Sequence, residues 1–281
     1  MQKILVPIDF SNNAMKAVTY AAEIAKRNGA VIHLLHVLEG VIDYIRQPHI
    51  QTESLDEKIA MAQLGKLNSL RDTLAEVYPG ITIETEIASG TVANAILSYS
   101  EKLQADLIVM ATLGATGFKE FFLGSATGNT IGRTTIPVLA VPYEYLMEEP
   151  DAIVLATNRF EEDEKILKPI MELASLFSAT VHVVAFVDTD FSGPVDYIHN
   201  HKQLGRFITN LQKSYPGIAI TAELLDGKEF EEAIEQYYTK KEADIVAMIT
   251  YPKNFWEKIV RKSVTGKMAF HSKIPLLAIP A

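Results

Sequence analysis

The sequence contains no cysteine, which excludes disulfides, iron–sulfur clusters and thiol catalysis. It has no apolar run approaching the roughly 18 residues of a membrane span. It also lacks an excess of basic charge. The formal net charge is −9, and a general binder of nucleic acid or of membrane surfaces would need a basic face. Neither partner is expected. Met1-Gln2-Lys3 runs straight into the apolar stretch ILVPID, which leaves no room for a secretory signal, so a cytoplasmic location is expected. Familiar catalytic and cofactor motifs are missing as well. There is no G-x-x-x-x-G-K-[ST] phosphate loop, no G-x-G-x-x-G after the first strand and no G-x-S-x-G elbow.

What the chain does have is an internal repeat. ADLIVMAT (Ala105 to Thr112) recurs as ADIVAMIT (Ala243 to Thr250), and IPVLAVP (Ile136 to Pro142) recurs as IPLLAIP (Ile274 to Pro280) at the same offset. YPGITI (Tyr78 to Ile83) recurs as YPGIAI (Tyr215 to Ile220), and VIHLLHV more loosely as VHVVAFV. The order is the same in both halves, so the chain reads as two copies of one domain, 1–148 and 149–281, joined near Glu148-Glu149-Pro150.

Within the first copy, short apolar runs alternate with helical patterns. ILVPI, VIHLLHV, ITIETEIAS, ADLIVMAT and VLAVP read as strands. Between them lie helices over AMKAVTYAAEIAKRNG, about Ser54 to Val77, and TVANAILSYSEKLQ. Ser11 or Asn12 is expected to cap the first helix, Gly29 to end it, and Thr91 to cap the third. The second copy repeats this order, with a shorter connection after its second strand. Strands of nearly continuous apolar residues separated by helices imply a parallel sheet covered on both faces. The fold class is therefore α/β, as two tandem doubly wound, mainly parallel five-stranded sheets. Ligands are expected beyond the carboxyl ends of the strands.

The best candidate site follows the fourth strand. Gly114 is followed by ATGFKEFFL and then by Gly124-Ser125, ahead of a short helical segment from about Ala126 to Arg133. Glycine lets backbone N–H groups approach a ligand closely, and a helix start favours an anion such as phosphate. Asp9 ends the first strand at the same sheet edge, where a helix-capping turn residue is the competing explanation. The second copy has Pro252 and Lys262 in place of Gly114 and Gly124, keeps Ser263 for Ser125, and has roughly Asn158 for Asp9. It reads as a structural or regulatory partner with a degenerate site.

The loop resembles that of nucleotide-binding universal stress proteins, in which two glycines separated by two residues are followed, nine residues on, by Gly-Ser or Gly-Thr. Here Ala111 stands for the first glycine. The resemblance covers both halves and implies a Rossmann-like fold of the adenine nucleotide alpha hydrolase-like type. It implies ATP or another adenine nucleotide in the first domain, with or without Mg²⁺. The implied contacts are Asp9, Val37, Met110, Ala111, Gly114, Gly124, Ser125 and Ala126, with Val37 meeting the adenine through its backbone. It further implies fifth strands pairing within the chain as a pseudo-dimer, with a homodimer and an unidentified protein partner as further assemblies. The expected role is regulatory in the stress response rather than enzymatic. The alternatives are a nucleotide-free adaptor, in which Ala111 marks a decayed site, and a slow ATPase in which Asp9 helps to hold Mg²⁺.

Histidines offer little else. His33 and His182 lie inside apolar strands and read as core residues, while strand alternation leaves His36 unassigned. His199, His201 and Asp196 could ligate a metal, but histidines two apart on a helix face different ways. They read as surface residues, and no metal is expected. Phe255 and Trp256 read as packing residues. The stretch Glu39 to Glu53 is expected to act as a lid over the adenine.

Overall fold

The computed structural model describes residues 1–39, 55–112, 125–251 and 272–281. They form two compact units, Met1–Tyr143 and Glu144–Ala281.

The first unit alternates strand and helix throughout. The strands are β1 (Lys3–Ile8), β2 (Val31–Leu38), β3 (Thr82–Ser89), β4 (Leu107–Ala111) and β5 (Val138–Val141). The helices are α1 (Asn12–Asn28), α2 (Leu55–Val77), α3 (Val92–Leu103) and α4 (Ser125–Ile131). All pairings are parallel, in the order β3-β2-β1-β4-β5. The central strands read as continuous apolar runs because both faces are covered: Ile4, Leu5, Val6, Leu107, Ile108 and Val109 are wholly buried. β3, at the edge, alternates instead between half-buried and exposed residues.

Local chemistry sets the helix ends. The Ser11 hydroxyl accepts the N–H of Ala14 at the start of α1. Gly29 ends that helix with φ 71°, a left-handed conformation that a Cβ would strain, and its N–H returns to Ala25. Thr91 does occupy the cap position of α3, but its side chain makes no capping hydrogen bond.

The second unit repeats the plan. Its strands are β6 (Ala152–Ala156), β7 (Thr180–Asp188), β8 (Ile220–Gly227), β9 (Ile245–Thr250) and β10 (Leu276–Pro280). Its helices among the described residues are α5 (Glu164–Phe177), α6 (Pro194–Ser214) and α7 (Phe230–Lys240). The strands pair in parallel as β8-β7-β6-β9-β10, the same order as in the first unit.

The aspartate of the repeated Ala-Asp pair has the same structural task in both units. Asp106 Oδ2 accepts the N–H groups of Gln2 and Lys3 at 2.6 and 3.0 Å. Asp244 Oδ2 accepts those of Asp151 and Ala152 at 2.8 and 3.0 Å. Each carboxylate thus ties the entrance of the fourth strand to the start of the first. Burial pushes the Asp244 carboxyl above its usual range, against the two N–H donors that pull it down.

Candidate functional site

β1, β2 and β4 all end at the same edge of the first unit's sheet. The strand order reverses between β1 and β4, and helices leave in opposite directions there, which opens a crevice. The crevice is a cavity of about 680 Å³, within the usual range for small-molecule sites. Pro7, Ile8 and Asp9 line it from β1, and Leu35, His36, Val37 and Glu39 from β2. Met110 and Ala111 enter from the end of β4, Thr91 to Asn94 from the start of α3, and Ser125, Ala126, Thr127 and Asn129 from α4.

The sequence reading named Asp9, Val37, Met110, Ala111, Ser125 and Ala126, and all six line this cavity. Gly114 and Gly124 lie outside the described residues, as does nearly all of the expected lid from Glu39 to Glu53. Of that stretch only Glu39 is described, at the cavity wall.

Short-range bonds hold the walls in place. Asp9 Oδ1 accepts the Ser11 N–H at 2.9 Å, bridging over Phe10, which sits at φ 61°. That is a left-handed conformation seldom taken by a bulky side chain. The Phe10 ring packs on His36 with centroids 4.7 Å apart. His36 Nδ1 lies 2.8 Å from the Ile8 carbonyl. A carbonyl only accepts, so Nδ1 carries the hydrogen in this contact. The Thr127 hydroxyl donates to the Ala111 carbonyl at 2.9 Å, fixing α4 to the end of β4.

Several lining residues were not singled out from sequence, among them His36, Asn94 and Arg133. His36 had no assigned face, and it lines the cavity. Asn94 and Arg133 also line it, and Arg133 Nη1 donates to Asn94 Oδ1 at 2.8 Å. Among the described lining residues, Arg133 adds a cation beside the acidic Asp9 and Glu39.

The second unit's counterpart differs. Pro252, Phe255, Trp256, Lys262 and Ser263 lie outside the described residues. Asn158 is described, and its amide is engaged with the backbone of Phe186. Asp196 Oδ2 accepts the Gly193 N–H at the start of α6, and His199 and His201 are exposed. Among the described residues no group of three metal-capable side chains converges. No helix among them is long and apolar enough to cross a membrane.

Strand order, all-parallel pairing and a crevice at the switch point define a tandem, doubly wound, Rossmann-like α/β protein. The sequence profile of the universal stress protein family matches residues 1–142 and again 150–280. The chain therefore belongs to the universal stress protein family, with two copies of the domain. A universal stress protein of Methanocaldococcus jannaschii is 32% identical over 140 residues, which span 50% of this chain and 81% of that protein. Universal stress protein YxiE of Bacillus subtilis is 31% identical over 149 residues, spanning 50% of this chain and 97% of YxiE. A solved universal stress protein from Archaeoglobus fulgidus superposes with a TM-score of 0.69 at 17% identity, covering 99% of this chain and 96% of that one. That likeness extends the shared fold to the whole tandem chain.

Proposed function

We propose that this chain is a cytoplasmic stress-response regulator that binds ATP, or another adenine nucleotide, in its N-terminal unit. One observation carries the reading: six positions implied by the sequence resemblance, scattered from Asp9 to Ala126, line a single cavity at the switch point. A cavity of about 680 Å³ has room for a nucleotide, and the ends of β1, β2 and β4 are where ligands sit in this class of sheet. Mg²⁺ would accompany the phosphates. The chain acts by binding rather than by turnover. Its output is a nucleotide-dependent change in shape or partner, which requires the ligand to favour one conformation over another.

The test is thermal unfolding with and without Mg-ATP. At a hundredfold excess over Kd, a ligand that binds only the native state stabilises it by about 2.7 kcal/mol. Wild type is expected to shift upward. Ala126→Phe, which fills the cavity from α4, is expected to remain folded and lose the shift. Nucleotide-free wild type that does not respond would instead support the adaptor reading.

Pairing of β5 with β10 as an intramolecular pseudo-dimer belongs to the same proposal, since it would remove two exposed sheet edges. The absence of native cysteine makes it testable: single cysteines introduced along Val138–Val141 and Leu276–Pro280 are expected to cross-link within one chain on oxidation.

A further inference from the structure

The two units treat one and the same peptide group differently. β1 and β2 pair from Lys3–Val31 to Ile8–His36, and β6 and β7 pair from Ala152–Thr180 to Ala156–Val184. Carrying each ladder just past its last pair sets Asp9 against Val37 in the first unit and Asn158 against Phe186 in the second.

Backbone groups alternate sides along a parallel strand. In β2 the Val31 N–H donates to Gln2 on the β1 side, while the Leu38 carbonyl accepts from Gly90 on the β3 side. Val37 therefore presents its N–H and C=O to the β1 side, past the end of β1, where it lines the cavity. In β7 the Val184 carbonyl accepts the Thr157 N–H, and Thr189 donates to Gly227 on the other side. Phe186 therefore presents the matching pair towards the end of β6.

In the second unit that pair is taken. Asn158 Nδ2 donates to the Phe186 carbonyl at 3.2 Å, and Asn158 Oδ1 accepts the Phe186 N–H at 2.9 Å. A carboxamide offers one donor beside one acceptor, as does the edge of adenine with its N6–H group and a neighbouring ring nitrogen. Asp9, the matching residue of the first unit, is an acceptor only when ionised and cannot donate to the Val37 carbonyl. One of its oxygens is turned to the Ser11 N–H instead. Among the described residues no side chain bonds the Val37 peptide.

We propose that Asn158 closes the second unit's crevice to ligands by filling the donor–acceptor edge of Phe186 with its own amide. Among the described residues the Val37 edge is left unfilled, because the matching side chain is a carboxylate and cannot supply the donor of the pair. The occupant of the open edge is a group with adjacent donor and acceptor, of which adenine is the example. This inference rests on the adenine-nucleotide reading for the ligand, but not for the Asn158 contact itself.

Residue-resolved amide hydrogen exchange on the full chain tests it, with Mg-ATP as the probe. In ligand-free wild type the Phe186 amide is expected to exchange about tenfold or more slowly relative to Val37. Asn158→Ala is expected to remove that protection. Asp9→Asn, nearly isosteric, is expected to transfer it to Val37 and to weaken Mg-ATP binding by about tenfold or more; Asp9→Ala, the control, leaves the Val37 amide fast. A Phe186 amide that exchanges equally fast in wild type and Asn158→Ala would overturn the proposal. So would an Asp9→Asn chain that binds Mg-ATP like wild type with an unprotected Val37. Wild type that ignores Mg-ATP, while Phe186 still loses protection in Asn158→Ala, would overturn the nucleotide reading and support the Asn158 assignment.

Discussion

Single side chains in this molecule divide into those that fix the sheet and those that face the crevice, and the repeat separates the two. Asp106 and Asp244 do the same work in both units, so theirs is a structural task. Removing either carboxylate leaves two N–H groups at the start of a central strand without their acceptor. Asp244 is only half exposed whereas Asp106 faces solvent, so water replaces the lost acceptor less well at Asp244. Asp244→Ala is therefore expected to destabilise the second unit by about 1–2 kcal/mol, and Asp106→Ala the first unit by less. Urea unfolding of the two variants against wild type measures the difference, and equal costs would refute the argument from burial. Asp9 and Asn158, by contrast, differ between the copies. Their divergence coincides with a change in what their strand edges can accept, as expected of residues that govern ligand access.

At the scale of elements, matching second strands carry matching histidines. His33 in β2 is buried, with Nδ1 3.2 Å from Glu84 Oε2 but without the alignment of a hydrogen bond. Burial lowers its pKa below the usual 6.5, with Glu84 opposing the shift and Lys3 adding to it. His182 in β7 bonds the Thr221 hydroxyl at 2.7 Å. Burial lowers its pKa too, helped by Lys241 and opposed by Glu223. Both rings are thus held neutral in the fold more strongly than in the unfolded chain. As pH falls below about 6.5 the unfolded chain takes up protons first, so stability declines until the folded rings also protonate. Unfolding midpoints measured from pH 7.5 downward are expected to fall, and less steeply in His33→Gln. Much at this scale was legible in the sequence. The strands stand out because parallel, doubly covered strands are written as apolar runs, and Ser11 and Gly29 announce the ends of α1. Less legible were the side chains whose place depends on two distant elements meeting. Arg133 and Asn94 touch only because α4 packs beside α3, and the positive φ at Phe10 depends on how the chain turns out of β1. The Thr91 cap failed as a prediction of bonding, though not of position, because residue type fixes a preference and tertiary setting decides the hydrogen bond.

For the molecule as a whole, the repeat suggests two sites, while the chemistry at the strand ends argues for one. Both units have the same strand order, so both possess a switch point where a ligand could sit. In the first, six expected contact positions border an open cavity; in the second, Asn158 already bonds the peptide that matches Val37. A nucleotide entering the second unit would have to replace two hydrogen bonds before gaining any, a handicap that no described residue imposes in the first. Equilibrium dialysis with labelled ATP is therefore expected to give one nucleotide per chain at saturation. Because a ligand stabilises only the state that binds it, amide protection on adding ATP should concentrate in β1, β2, α3 and β4, with the amides of β6 and β7 unchanged. Two nucleotides per chain, or protection spread equally over both sets of strands, would mean that Asn158 yields readily and that the repeat, rather than the residue that divides its copies, sets the capacity of the protein.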